Sequence, residues 1–339
     1  MMSQRQIRNV SLAILVAFLF TFPLWMPTYY LTTSTRILFY SMLGVSLAFL
    51  AGQGGMVSLA QTALFGFSAY VLAILSIHHG YKFPMPELAA IVGTTLIAFV
   101  AGLITSRTYN TYYLMITLAL GQIAWAVAQQ WTSMTEGFDG IQGVRAPIIG
   151  GIAFTQRENF YWLLLIVFIA TFSLFRRISQ SSFGIALRGV RENPDRMAAL
   201  GYPVYWIRVA AFVMAGFLAS VAGVFFVEFT GIITPTTVGL DRTVWLLLAV
   251  ILGGINSLVG PIIGVIIALW FEVTVSRYTD RYLTVMGITF IFIVLFAPNG
   301  IMGVIDQAKR RYEREGRVLF RRKSPIPTEE QITDQVRHS

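Results

Sequence analysis

Apolar runs of roughly 15–23 residues recur along this chain, each about long enough to cross the hydrocarbon core of a bilayer, and no other feature constrains its fold as tightly. Ten can be counted, at about 10–27, 37–51, 59–77, 88–106, 111–131, 160–177, 207–229, 240–255, 259–274 and 282–298. Lipid offers no partner for backbone N–H and C=O groups, so runs of this kind fold as helices. The expectation is an all-α, polytopic transmembrane bundle of about ten spans, eight at the fewest. Charge agrees: 12% of the residues are charged, where a soluble domain carries about a quarter. The first run follows Arg5 and Arg8, the charge order of a signal peptide. It is longer than a signal core and no clean cleavage site follows, so it reads as a retained span.

The basic residues orient the bundle. With ten crossings, the N-terminus, the 107–110 connection, the 178–206 loop and the C-terminal tail share one side, which holds 18 of the 25 lysines and arginines. Excess Lys and Arg mark the cytoplasmic face. Both termini are therefore expected inside, with a transmembrane domain over 1–305 and a basic, partly disordered cytoplasmic tail over 306–339. That tail suits anionic lipid head groups, so the net charge of +9 calls for no nucleic acid.

Much chemistry is excluded. There is no cysteine, and the three histidines are His78, His79 and His338, so no metal site is expected. The lysines are Lys82, Lys309 and Lys323, and none follows a glycine, so the chain has no phosphate loop. No catalytic signature occurs and no catalytic residue is assigned. The span cores hold almost no charge, whereas ion-driven carriers keep ionisable groups there. Glu228 and Glu272 lie near span ends and read as interfacial. Neutral polar groups inside spans, such as Thr62, Ser68, Thr117 and Gln122, read first as contacts between helices. A transporter of this composition draws its energy from a partner or works as a passive channel for small neutral solutes. A membrane enzyme is a distant third.

Two gaps between spans are glycine-rich and nearly uncharged: GQGGMVS at 52–58 and GGINSLVG at 253–260. Two readings stand for each, a cytoplasmic turn or a break in a helix beside the translocation path. The second makes Gly52, Gln53, Gly54, Gly55, Ser58 and Gln61 candidates for the path, with Gly253, Gly254 and Asn256 as a later counterpart.

The cytoplasmic loop carries one fully punctuated short helix. Asn193 is placed to cap it, Pro194 fits the first turn, Asp195 complements the positive end and Gly201 suits the left-handed position beyond its end. Two turns are marginal alone in water. The helix therefore needs a surface, either its own protein or a docked subunit.

At these residues the chain resembles the permeases of ATP-binding-cassette (ABC) importers, closest to the LivM-type family for branched-chain amino acids. Arg188, Arg191, Glu192, Asn193, Arg196, Leu200, Gly201 and Tyr202 match the family's cytoplasmic coupling loop. AGQGGMVSLAQTALFGFSAYVLAIL, VILGGINSLVGPIIGVIIAL and LFAPNGIMG resemble three further family segments, so the likeness runs over roughly 40–305. The alanine pair and glutamate of many such loops are replaced by Arg196, Met197 and Ala198. Thr135, Gly137, Gly140, Ile141 and Gly143 resemble the family's outer loop, facing a binding protein.

The resemblance implies a type II-like importer fold and a set of partners: a second, LivH-like permease, two cytoplasmic ATPase subunits and a periplasmic substrate-binding protein. No cofactor is bound by this chain, and ATP is used by the partner subunits. It implies that Arg188, Arg191, Glu192, Asn193, Asp195, Arg196, Leu200 and Gly201 form the ATPase-coupling loop, with Glu192, Asp195 and Arg196 in the ATPase groove. Branched-chain amino acids are the expected cargo, with urea or short amides as the alternative. The cell inner membrane is the expected location.

Overall fold

The computed structural model describes residues 27–149 and 152–278, with positions 20, 21, 23, 25, 284, 285, 287, 288, 291 and 300–303. The first and tenth expected spans lie almost wholly outside the described residues, as do both termini and the 306–339 tail.

Among the described residues, seven helices are long and apolar enough to cross a membrane. The helices are α1 (Thr28–Ala48, extended by a π-helical turn, Phe49–Gln53), α2 (Gln61–Ala73, extended by a second π-turn, Ile74–His78), α3 (Met85–Thr105), α4 (Asn110–Gln130), α5 (Arg157–Gln180), the short α6 (Ser182–Glu192) and α7 (Pro194–Ala199), α8 (Val204–Thr230), α9 (Leu240–Gly253) and the apolar α10 (Gly260–Val275). The second to ninth expected spans all have a counterpart here. α1 starts at Thr28 rather than near 37. The hydroxyls of Thr32, Thr33 and Thr35 donate to the carbonyls four residues back, which hides their polarity inside the helix.

Helices α6 and α7 lie at one end of the bundle with Arg107, Arg176 and Arg177; we call this the basic end. α1 runs toward it. Its first turn meets Arg277 at the far end, whose guanidinium donates to the Tyr29 hydroxyl at 2.7 Å. Its last residue meets α6.

Helix α8 is the hub. It packs along α2 and α3 and against α1. Ala211, Ala215 and Ala219 recur every four residues on it and are fully buried. A Cβ added to Gly216 would collide with Ala98, and one on Gly223 with the Phe65 carbonyl. This stripe of small residues thus brings backbones close within the chain. In α1, 89% of the apolar window is enclosed, against 22% in α4, which leaves most of α4 facing outward. α9 and α10 form an equally tight hairpin, where a Cβ on Gly264 would collide with the Ala249 carbonyl.

The far end is closed by the 131–156 connection. Its strand β1 (Ile141–Gln142) pairs antiparallel with β4 (Ile232–Ile233), and β2 (Ile148–Ile149) pairs with β3 (Ile152–Ala153). One carboxylate departs from the sequence expectation, and a second finds a partner. Glu228 is 6% exposed and lies against Glu87, rather than at a wet interface. Glu272 pairs with Arg242 at 3.3 Å.

Candidate functional site at the basic end

The glycine-rich stretch after α1 resolves into three parts. The π-helical turn Phe49–Gln53 widens the end of α1, and such turns are frequent at functional sites. Gly55, at φ +66°, then reverses the chain, with the Met56 N–H donating back to the Leu50 carbonyl at 3.0 Å. Residues 56–60 finally run without helix back alongside α1. They end at Gln61, whose Oε1 lies 2.7 Å from Ser46 Oγ, seven residues before Gln53. At 1.5 Å per helical residue the run climbs about 10 Å into the bundle. Gly54–Gly55 is thus a turn, and 56–60 is irregular backbone inside the bundle.

Such backbone is tolerated where protein satisfies it, and here it does. The Leu59 N–H donates to Thr117 Oγ1 at 3.2 Å, and Gly121 leaves room for the Leu59 carbonyl. Ser58 and Gln61 are each 1% exposed. Offered by the sequence as path residues, they contact only the interior of this chain. Gly253 and Gly254 likewise pack on their own hairpin and beside Gly300.

The second glycine-rich gap meets the first. A Cβ on Gly52 would collide with the Ile255 carbonyl oxygen, so the two turns touch through backbone. α6 lashes them together. Its first turn follows Ser181 in extended conformation, and its inner face buries Ala186, Leu187 and Val190. Arg188 and Arg191, one turn apart, lie toward the glycine turns. Arg188 Nη1 donates to Gln53 Oε1 and to the Ser179 carbonyl, both at 2.8 Å. Arg191 donates through Nη1 to the Gly52 carbonyl and through Nη2 to Asn256 Oδ1, the latter at 3.1 Å. Hydrogen bonds from a charged donor contribute about 1.5–3 kcal/mol each. Gly52, Gln53 and Asn256, expected beside a path, accept hydrogen bonds from two arginines of α6.

The sequence placed no helix over 182–192. Gly184 and Gly189 obscured the pattern, and both are there for clearance: a Cβ at Gly184 would collide with the Ser179 carbonyl, and one at Gly189 would reach Met197 Sδ at 2.7 Å. Helix α7 is built as expected. Asn193 closes α6 and accepts from the Arg196 N–H at 2.8 Å. Gly201 sits at φ +85°, with its N–H on the Ala198 carbonyl and the Tyr202 N–H on the Met197 carbonyl. Glu192, Asp195, Arg196 and Leu200 are exposed, and Leu200 keeps 67% of its surface free. With Tyr202 and Trp206 they make an outward face of charge and apolar surface.

A third arginine, Arg208, falls in no sequence motif and counts there only among the basic residues of one side. It is 3% exposed. Nη1 donates to the Ser106 carbonyl at 2.9 Å, Nη2 to Thr108 at 2.6 Å, and Nε to Met56 Sδ at 3.2 Å. Its guanidinium lies 4.2 Å from the Tyr109 ring centroid. The carbonyl end of α3 favours a cation there. Arg208 so ties α8 to α3 and to the irregular run.

At the far end, Gly137, Gly140 and Gly143 all take left-handed φ, between +59° and +89°, and Thr135 donates to the Trp131 carbonyl at 2.8 Å. A Cβ at Gly140 would collide with the Ile233 carbonyl. These residues shape the cap that carries β1, leaving Phe138 76% exposed at its tip.

A family model described as "Branched-chain amino acid transport system / permease component" matches residues 29–295. The high-affinity branched-chain amino acid transport system permease protein LivM of Escherichia coli K12 is 24% identical over 296 residues, covering 79% of this chain and 69% of that protein. LivH of the same organism, described in the same words, is 26% identical over 288 residues, 78% of this chain and 91% of LivH. The autoinducer 2 import system permease protein LsrC of Escherichia coli K12 / DH10B is 25% identical over 275 residues, 78% of this chain and 77% of LsrC. No solved structure matches the chain.

Proposed function

The chain belongs to the branched-chain amino acid transport permease family, and on that premise we propose that it is one membrane-spanning half of an ATP-driven importer for aliphatic amino acids. It is a multi-pass inner-membrane protein. Relatives of both the LivM and LivH kinds support a second, LivH-like permease beside it. In this reading two ATPase subunits dock at the basic end, which faces the cytoplasm, and a periplasmic binding protein delivers cargo to the far end. The chain carries out no hydrolysis and binds no cofactor; ATP acts through the partners.

The observation that carries the reading is the lashing of Arg188 and Arg191. α7 presents exposed charge outward, and Asn193 joins it rigidly to α6. α6 in turn holds both glycine turns. A displacement of α7 by closing ATPases is thereby passed to the ends of α1 and α9. Arg208 links the same run to α8 and α3. Motion of one short helix so reaches four long ones.

The test is reconstitution with the second permease, the ATPases and the binding protein. ATP-dependent uptake of leucine, isoleucine and valine is expected. Uptake of urea or acetamide in their place would change the cargo. Equilibration of solute without ATP would make the protein a passive channel.

A further inference from the structure

Behind α7 lies a cavity of about 370 Å³, within the range of roughly 300–1,000 Å³ that holds small molecules. The glycine turn, the corner between α3 and α4, α6, α7 and the start of α8 all contribute to it. Its lining includes Arg191, Arg208 and Asp195. Among the described residues the ion pairs are His78–Glu136 and Arg242–Glu272, so none of these three charges is paired. A guanidinium has five N–H donors. Arg208 spends three on Met56, Ser106 and Thr108, and Arg191 spends two on Gly52 and Asn256. Both keep donors in reserve. Met56, Val190 and the Tyr109 ring supply apolar wall.

Two cations with spare donors, one carboxylate and an apolar wall match one class of small molecule. We propose that the cavity binds a free aliphatic α-amino acid from the cytoplasm, its carboxylate on Arg191 and Arg208 and its ammonium on Asp195. The inference rests on the cargo and orientation proposed above. An occupant bridges α7 to α6 and α8, and so holds the coupling helix against the body of the permease. Accumulated amino acid then slows its own uptake.

The experiment uses the complete complex in nanodiscs, without ATP and without binding protein. Equilibrium binding of radiolabelled leucine is measured with two competitors, leucinamide, which lacks the carboxylate, and 4-methylpentanoate, which lacks the ammonium. Saturable binding that neither competitor displaces is expected, weakened at least tenfold by Asp195→Asn. In proteoliposomes of the wild type, preloading with leucine is expected to slow ATP-driven uptake, and preloading with leucinamide or 4-methylpentanoate is not. Competition by 4-methylpentanoate as strong as by leucine overturns the proposal, because the site then reads only an anion. Undiminished binding in Asp195→Asn overturns it as well. If the wild type takes up leucine while either result is found, this inference alone falls. If it takes up no leucine, the cargo reading falls and this inference with it.

Discussion

Arg191 holds one backbone carbonyl and one side-chain amide from two different turns, and few residues in the chain could be replaced less easily. A lysine carries the charge but not the planar fork that reaches two acceptors at once. Arg191→Lys and Arg191→Ala are therefore both expected to uncouple ATP hydrolysis from uptake, which is read as phosphate released per leucine transported. A purely structural role would lower both rates together and leave that ratio unchanged. Gly52 imposes the complementary constraint. Gly52→Ala places a methyl group on the Ile255 carbonyl, and overpacking of this kind costs about 1–3 kcal/mol. A lower melting temperature of the purified permease pair is expected, with loss of uptake. Asn256→Ala removes a single acceptor and should do less than either.

Elements differ in how openly they declare themselves. The ends of α7 were legible because its signals are local: Asn193, Pro194 and Gly201 act on their own neighbours. α6 was not legible, since the reason for Gly184 and Gly189 lies in Ser179 and Met197 and not in the helix. The true start of α1 was hidden by threonines whose hydroxyls turn back onto the helix. The arginine seats were hidden too, because the Gly52 carbonyl meets an arginine 139 residues later in the chain. For α7 two outcomes follow. Asn193→Ala removes the cap, a loss of about 1 kcal/mol, and should lower coupled uptake modestly. Reversing the outward charges with Glu192→Lys, Asp195→Lys and Arg196→Glu should abolish ATP-driven uptake while the two permeases still co-purify. Normal uptake in that triple variant would remove α7 from the ATPase interface.

At the scale of the molecule, alternation of the helices places the arginine-rich connections at one end. The chain has no cysteine, so orientation can be read from single introduced thiols. Arg196→Cys should react with a membrane-impermeant maleimide only in inverted vesicles, and Phe138→Cys only in intact spheroplasts. The opposite pattern would overturn the assignment of the basic end to the cytoplasm. The stripe on α8 sets a limit of another kind: Gly223→Leu forces a side chain into the Phe65 carbonyl and Ser68, and should destroy the bundle rather than its regulation. The irregular run 56–60 also says something about how the chain is made. A ribosome delivers α1 and α2 to the membrane before the groups that accommodate the run exist. Thr117, which receives the Leu59 N–H, and Arg208, which grips Met56, are synthesised about 60 and 150 residues later. Lipid cannot stand in for them. The arrangement of α1 and α2 around this run is therefore completed only when the hub helix arrives.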